Sequence, residues 1–84
     1  DGKPRHAFAP LALAIAPTRE LALQVSKELE WLYAGARIRI VTCVGGMDAV
    51  KERRALAGGA HIVVGTPGRL RDHLERGALD LGSL

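Results

Sequence analysis

Leu11-Ala12-Leu13-Ala14-Ile15-Ala16-Pro17-Thr18-Arg19-Glu20-Leu21-Ala22 decides the fold of this chain, because an apolar run passes directly into a helix start. The run closed by Pro17 has the character of a strand buried on both faces of a parallel sheet, although its alanines alone would also permit a helix. The segment after Pro17 is helical by spacing: Leu21, Val25, Leu29 and Leu32 recur at i, i+4, i+8 and i+11 and fall on one stripe. Thr18 is placed to cap that helix, Glu20 lies in its first turn where a carboxylate suits the dipole, and Gly35 marks its stop.

The same junction recurs downstream. His61-Ile62-Val63-Val64-Gly65 is short and β-branched, the best candidate for a central strand, and it runs into Thr66-Pro67-Gly68-Arg69-Leu70. Thr66 is the expected N-cap and Pro67 the first helical residue, with Leu70 and Leu74 on one side and an end near Gly77. Between the two junctions, Ile38, Ile40, Thr42 and Val44 alternate with Arg37, Arg39, Val41 and Cys43, a period-two pattern whose arginines place this strand at a sheet edge. Gly45-Gly46 breaks it. Asp48 then caps a short helix through Leu56 and Ala57, which Gly58-Gly59 terminates.

Three strands alternating with three helices through short loops predict an α/β fold with an open parallel sheet. Right-handed crossovers put the strand ends Ala16, Val44 and Gly65 on one edge, where open α/β folds bind ligands. The 61–65 strand is expected between the 11–16 and 38–44 strands. Three strands are few for such a sheet, and both ends of the chain read as cut. Asp80-Leu81-Gly82-Ser83-Leu84 opens an apolar segment that does not develop. Uncovered sheet edges on such a fragment also predict self-association.

Composition narrows the function. The 84 residues are 48% hydrophobic, enough for one core, and 12 Lys and Arg against 9 Asp and Glu give a net charge of +3. Nine of the basic residues are arginines, whose planar fork suits phosphate. Cys43 is the only cysteine, which excludes a disulfide framework or a multi-cysteine metal site within the chain; it reads as a small buried hydrophobe in a reducing, cytoplasmic setting. No apolar run approaches the ~18 residues of a membrane span, and Asp1-Gly2-Lys3-Pro4-Arg5 lacks the apolar stretch of a signal peptide.

The chemistry gathers at the predicted edge. Helix starts carry unpaired N–H groups and the positive end of the dipole, so two of them side by side, each with a hydroxyl and an arginine, suit a chain of phosphates. Gly45 and Gly46 let a sugar-phosphate strand approach the main chain. Thr18 and Thr66 either cap their own helices or donate to phosphate oxygens, and both roles are compatible. Arg19 and Arg69 either fork onto phosphate or pair with a carboxylate such as Glu20 or Asp72. Contacts of this kind position a nucleic acid without reading bases. Phe8, Trp31 and Tyr33 are the stacking candidates, and Trp31 and Tyr33 fall at the far end of the first helix, where helix packing explains them better.

No catalytic set emerges. His6, His61 and His73 lack metal-ligand spacing, Ser26 and Ser83 lack a nucleophile elbow, and Glu28 and Glu30 do not share a helix face.

Pro17-Thr18-Arg19-Glu20-Leu21-Ala22 resembles motif Ia of the DEAD-box RNA helicases, Gly45-Gly46 their glycine doublet, and Thr66-Pro67-Gly68-Arg69-Leu70 their motif Ib, in the family's order and spacing over essentially the whole chain. The resemblance implies a partial RecA-like sheet, residues 1–84 being the middle of the first RecA-like domain of an ATP-dependent RNA helicase. It implies RNA contacts, to a single strand and through its backbone, at Thr18, Arg19, Gly45, Gly46, Thr66, Gly68 and Arg69. Many members carry glutamine and arginine where this chain has Glu52 and Arg54. Arg54 is therefore carried over as a further RNA contact, whereas Glu52 is expected to repel phosphate. The phosphate-cradling G-x-x-x-x-G-K-[ST] loop and the paired carboxylates that hold Mg2+ are absent from the chain. ATP and Mg2+ are accordingly expected to serve the parent protein, and the chain alone is not expected to hydrolyse ATP. The rival readings are a non-catalytic RNA-binding module and a self-associating α/β module.

Overall fold

The computed structural model describes residues 10–46 and 48–82. His6, Phe8 and Ser83 lie outside the described residues. Six elements alternate along the described residues: β1 (Ala12–Ile15), α1 (Arg19–Leu32), β2 (Ile40–Cys43), α2 (Ala49–Ala57), β3 (Ile62–Gly65) and α3 (Pro67–Glu75). The strands form one sheet in the order β1-β3-β2. Both pairings are parallel, so Val63 lies between Leu13 and Val41, and Gly65 between Ile15 and Cys43. The β-branched strand takes the middle, as its composition predicts.

Alternation along β3 builds two apolar layers. Val64, with Ala16 and Val44, packs against Ala22 of α1, with Val25 and Leu29 beside them. Val63, with Val41 and Cys43, faces Leu56 of α2, Leu70 of α3 and Leu79 beyond it. Val63, Val64, Val44 and Cys43 are fully buried, each valine being worth ~1.5–3 kcal/mol of transfer free energy. Helices therefore cover both faces of the sheet.

Four side-chain expectations need correction. In α1 the buried residues are Ala22 and Ser26, while Leu21 and Leu32 of the predicted stripe are 41% and 61% exposed. The small pair lets the helix sit close to the strands, and Ser26 Oγ meets Thr42 Oγ1 at 2.5 Å, which gives the buried hydroxyl its partner. On α3 it is His73, not Leu74, that accompanies Leu70 inward: His73 is 0% and Leu74 39% exposed. β1 is an edge strand, not one buried on both faces, and its flanks Leu11 and Ile15 are exposed. Trp31 is 80% exposed, so helix packing does not account for it.

Candidate nucleic-acid interface

The backbone stitches the three strand-to-helix junctions together. Ala16 N–H donates to Gly65 O at 3.0 Å, and Thr66 N–H donates to Cys43 O at 3.1 Å, so the turn after β3 is bonded to both neighbours. Parallel strands leave all three helix starts on that one rim, as the crossover rule requires.

At the first junction, Thr18 Oγ1 accepts Leu21 N–H at 3.1 Å and caps α1. A hydroxyl is a donor as well as an acceptor, so capping leaves its hydrogen available to an external oxygen. Arg19 comes next, and its Nη1 lies 3.1 Å from where a Cβ on Gly46 would stand. The guanidinium thus occupies the face that the missing side chain leaves open, which joins the first junction to the second. Gly46 also holds φ at +85°, a conformation that L side chains rarely adopt. Gly45 has no such constraint, and nothing lies within 4 Å of a Cβ built on it.

At the third junction Thr66 occupies the N-cap position, but its side chain makes no capping hydrogen bond. Pro67 at N1 lacks an N–H, so one of the unpaired donors of the helix start is already absent. That expectation of a capping hydroxyl is corrected for Thr66; of the two threonines Thr18 caps through its side chain, as Asp48 does for α2. Gly68 opens outward, with nothing within 4 Å of a Cβ. Arg69 Nη1 lies 3.5 Å from Glu52 Oε1, with its side chain 13% exposed. The carboxylate it meets there is Glu52. Asp72 instead accepts from Arg76 Nε at 3.1 Å, and that hydrogen bond holds its carboxyl below the usual range.

Glu52 has a structural role that the sequence reading did not foresee. Rather than repelling phosphate from the surface, it is 7% exposed and turned inward. Its Oε2 accepts Val44 N–H at 3.1 Å and its Oε1 accepts His73 Nε2 at 2.8 Å. A buried carboxylate needs such partners, and here they come from the strand leading into Gly45-Gly46 and from α3. The second and third junctions are locked through it. A signal existed in the sequence: Glu52 is four residues from Leu56 and His73 three from Leu70, polar residues at core-facing helical positions.

Cys43 Sγ completes a buried group in which the ligand atoms of Cys43, Glu52 and His73 lie within 4.8 Å of one another. Burial, with Glu52 adding to it, pushes the thiol up to about 12, so it stays protonated at neutral pH. His73 Nε2 and both Glu52 oxygens already serve hydrogen bonds within the protein, and the group is accordingly a hydrogen-bonded hub. Arg54 stands apart. It is exposed in the last turn of α2, two residues from Glu52 and so ~200° around the helix, down from the rim that gathers Thr18, Arg19, Gly45, Gly46, Thr66, Gly68 and Arg69.

A sequence profile described as DEAD/DEAH box helicase matches residues 5–84. The chain belongs to this family. It is 51% identical over 70 residues to the DEAD-box ATP-dependent RNA helicase CshA of Geobacillus kaustophilus (strain HTA426), covering 83% of this chain and 15% of that protein. It is 50% identical over 68 residues to the ATP-dependent RNA helicase eIF4A of Eremothecium gossypii, covering 81% of this chain and 17% of that protein. Among solved structures, a DEAD box protein from the hyperthermophile Methanococcus jannaschii superposes with a TM-score of 0.83 at 42% identity, over 90% of this chain and 21% of that one. This DEAD-box chain thus spans about a sixth of the length of the curated relatives it matches. Its three parallel strands and three helices are part of a RecA-like helicase fold. Among the described residues no helix is long and apolar enough to cross a membrane.

Proposed function

We propose that this chain is the middle of the first RecA-like domain of an ATP-dependent RNA helicase and supplies one wall of its RNA groove. Thr18, Arg19, Gly45, Gly46, Thr66, Gly68 and Arg69 hold the sugar-phosphate backbone of a single strand, and Arg54 reaches it only at the margin. The observation that carries the reading is the shared rim: Arg19 lying against Gly46, and Thr66 bonded to the strand that precedes the glycine doublet. Helix N-termini, open glycine backbone and two guanidinium groups there face a polyanion, and no base-reading element stands beside them among the described residues.

The parent protein couples ATP hydrolysis to separation of RNA duplexes, as the names of its relatives suggest. None of the three junction loops has the glycine-lysine-hydroxyl sequence that cradles a triphosphate, so ATP and Mg2+ do not fit these residues and belong to other parts of that parent. A reducing, cytoplasmic setting suits the buried free thiol of Cys43.

Fluorescence anisotropy with labelled single-stranded RNAs of unrelated sequence tests the binding. The expected result is weak affinity, nearly equal for all sequences, that falls steeply as salt rises. Strong preference for one sequence, or binding indifferent to salt, would contradict the reading.

A second reading concerns the isolated chain. Leu11 and Ile15 are 66% and 62% exposed at the β1 edge, where unpaired backbone groups offer a template to a second copy. Size-exclusion chromatography is expected to show concentration-dependent association, and a monomer at all concentrations would count against it.

A further inference from the structure

β2 closes the sheet on the side away from β1. Arg39 O accepts Ile62 N–H at 3.1 Å and Cys43 O accepts Thr66 N–H at 3.1 Å, so in the parallel ladder the backbone of Arg39, Val41 and Cys43 faces β3. The same alternation turns the N–H and C=O of Ile40 and Thr42 outward, where no strand stands among the described residues. A groove flanks that edge on each face of the sheet. The groove beside α1, about 520 Å³, has Leu23, Lys27, Glu30 and Thr42 in its walls; the groove beside α2, about 280 Å³, has Arg39, Thr42, Asp48 and Lys51. Thr42 lines both. An extended segment laid along β2 would hydrogen-bond to Ile40 and Thr42 and send alternate side chains into the two grooves.

Charge decides what kind of segment fits. On the α2 side, Arg39 and Lys51 are exposed cations. Arg39 donates to Gly58 O at 3.1 Å and Ala55 O at 3.5 Å, which fixes its position without cancelling its charge. The carboxylates nearby are committed elsewhere: Asp48 Oδ1 accepts Val50 N–H and Lys51 N–H, and Glu52 serves Val44 N–H, His73 and Arg69. On the α1 side, Lys27 has Glu30 three residues on, along the same helix face, and Leu23 is 38% exposed. That groove is balanced in charge and partly apolar. A strand alternating carboxylates with apolar residues matches both grooves at once. A second copy of this edge does not, because it would set its own Arg39 and Lys51 against the same cations, and like charges across paired strands repel.

We propose that the outer edge of β2 docks an extended acidic segment of a partner protein, which adds a fourth strand to the sheet, turns carboxylates toward Arg39 and Lys51 and lays apolar side chains over Leu23. This surface is separate from the rim of helix starts, and the proposal does not depend on the RNA reading.

The probe is a short fluorescein-labelled peptide of alternating glutamate and valine, titrated with the chain and followed by anisotropy, with circular dichroism as the check on folding. It is expected to bind, and the same peptide with lysine for glutamate is expected to bind roughly 10-fold more weakly or not at all. Lys51→Glu is expected to weaken the acidic peptide roughly 3- to 10-fold, while Lys27→Glu on the other face leaves it nearly unchanged. Should Lys51→Glu not fold, Lys51→Gln carries the same direction. Two further peptides need no protein variant: one N-methylated on every valine, the other on every glutamate. In an added strand only one of these sets points its N–H at β2, so one peptide is expected to lose binding and the other to keep it. Both binding or both failing overturns the strand pairing. Equal affinity for the acidic and basic peptides, or a folded Lys51→Glu that binds as the wild type does, overturns the acidic partner. Anisotropy that falls again as the chain is concentrated would give the edge to a second copy, and displacement of the peptide by oligouridylate would give its cations to RNA; either result overturns the proposal.

Discussion

Replacing Arg19 and Arg69 together by glutamine is expected to lower the affinity for single-stranded RNA roughly 100-fold at low salt, by a similar factor for every sequence. Each guanidinium offers a forked, charge-assisted pair of bonds to a phosphate, and glutamine, shorter and uncharged, keeps only a polar amide. The salt dependence carries a second, independent signature: losing two phosphate contacts is expected to flatten the slope of log affinity against log salt by about 1.4. Glutamine rather than alanine is the choice at 69 because it keeps a polar, hydrogen-bonding group near the buried Glu52 carboxylate, whose Oε1 faces Arg69 Nη1 at 3.5 Å. Anisotropy titrations at several salt concentrations measure both quantities. Unchanged affinity in a variant with a wild-type dichroism spectrum would remove these arginines from the interface, and with them the main support for an RNA-binding rim.

Gly65→Ala is expected to be the most damaging small substitution in the chain. A Cβ there would stand 2.5 Å from Cys43 O and 2.7 Å from Cγ and Cδ2 of Leu70. The carbonyl cannot yield cheaply, because it accepts Thr66 N–H at 3.1 Å and so ties β2 to the turn after β3. Relief would require the central strand and its neighbour to part, or α3 to lift from the sheet. Overpacking of this kind costs ~1–3 kcal/mol, and in a domain of this size each lost kcal/mol lowers the melting temperature by ~4–8 °C. Gly68→Ala is the matched control. Nothing lies within 4 Å of its Cβ position, and alanine favours the helix more than glycine does, so it is expected to melt no lower than the wild type. Thermal unfolding followed by circular dichroism separates the two. A Gly65→Ala variant as stable as the wild type would show that the strands accommodate a methyl group at their tightest point of contact.

Much of the candidate site's local structure was legible because its physics is local. A threonine before a helix, a proline at the first helical position and paired glycines after a strand each act over a few residues, and Thr18 caps α1 as the spacing predicts. The strand order came from composition: the β-branched segment went to the centre and the arginine-flanked one to an edge. Illegible was anything that depended on how far one element stands from another. Leu21 and Leu32 read as core by periodicity, yet Ala22 and Ser26 make the contact, because close approach of helix to sheet favours small side chains and a hydroxyl can reach Thr42. Glu52 was expected only to repel phosphate, and its burial was not foreseen. The sequence shows its spacing from Leu56 but not its partners Val44, just after β2, and His73 and Arg69 of α3, that make burying it tolerable.

From its own order of residues the chain determined the alternation of strand and helix, the parallel sheet and the single edge on which its helix starts meet, since period, capping and the handedness of crossovers are local or topological rules. Only the tertiary structure decided which polar groups face one another across that edge: Arg19 on the bare face of Gly46, and Glu52 between Val44, Arg69 and His73. Those pairings join residues far apart in sequence, and the free energy of a buried charge depends on partners within a few ångströms, a distance that no linear spacing encodes.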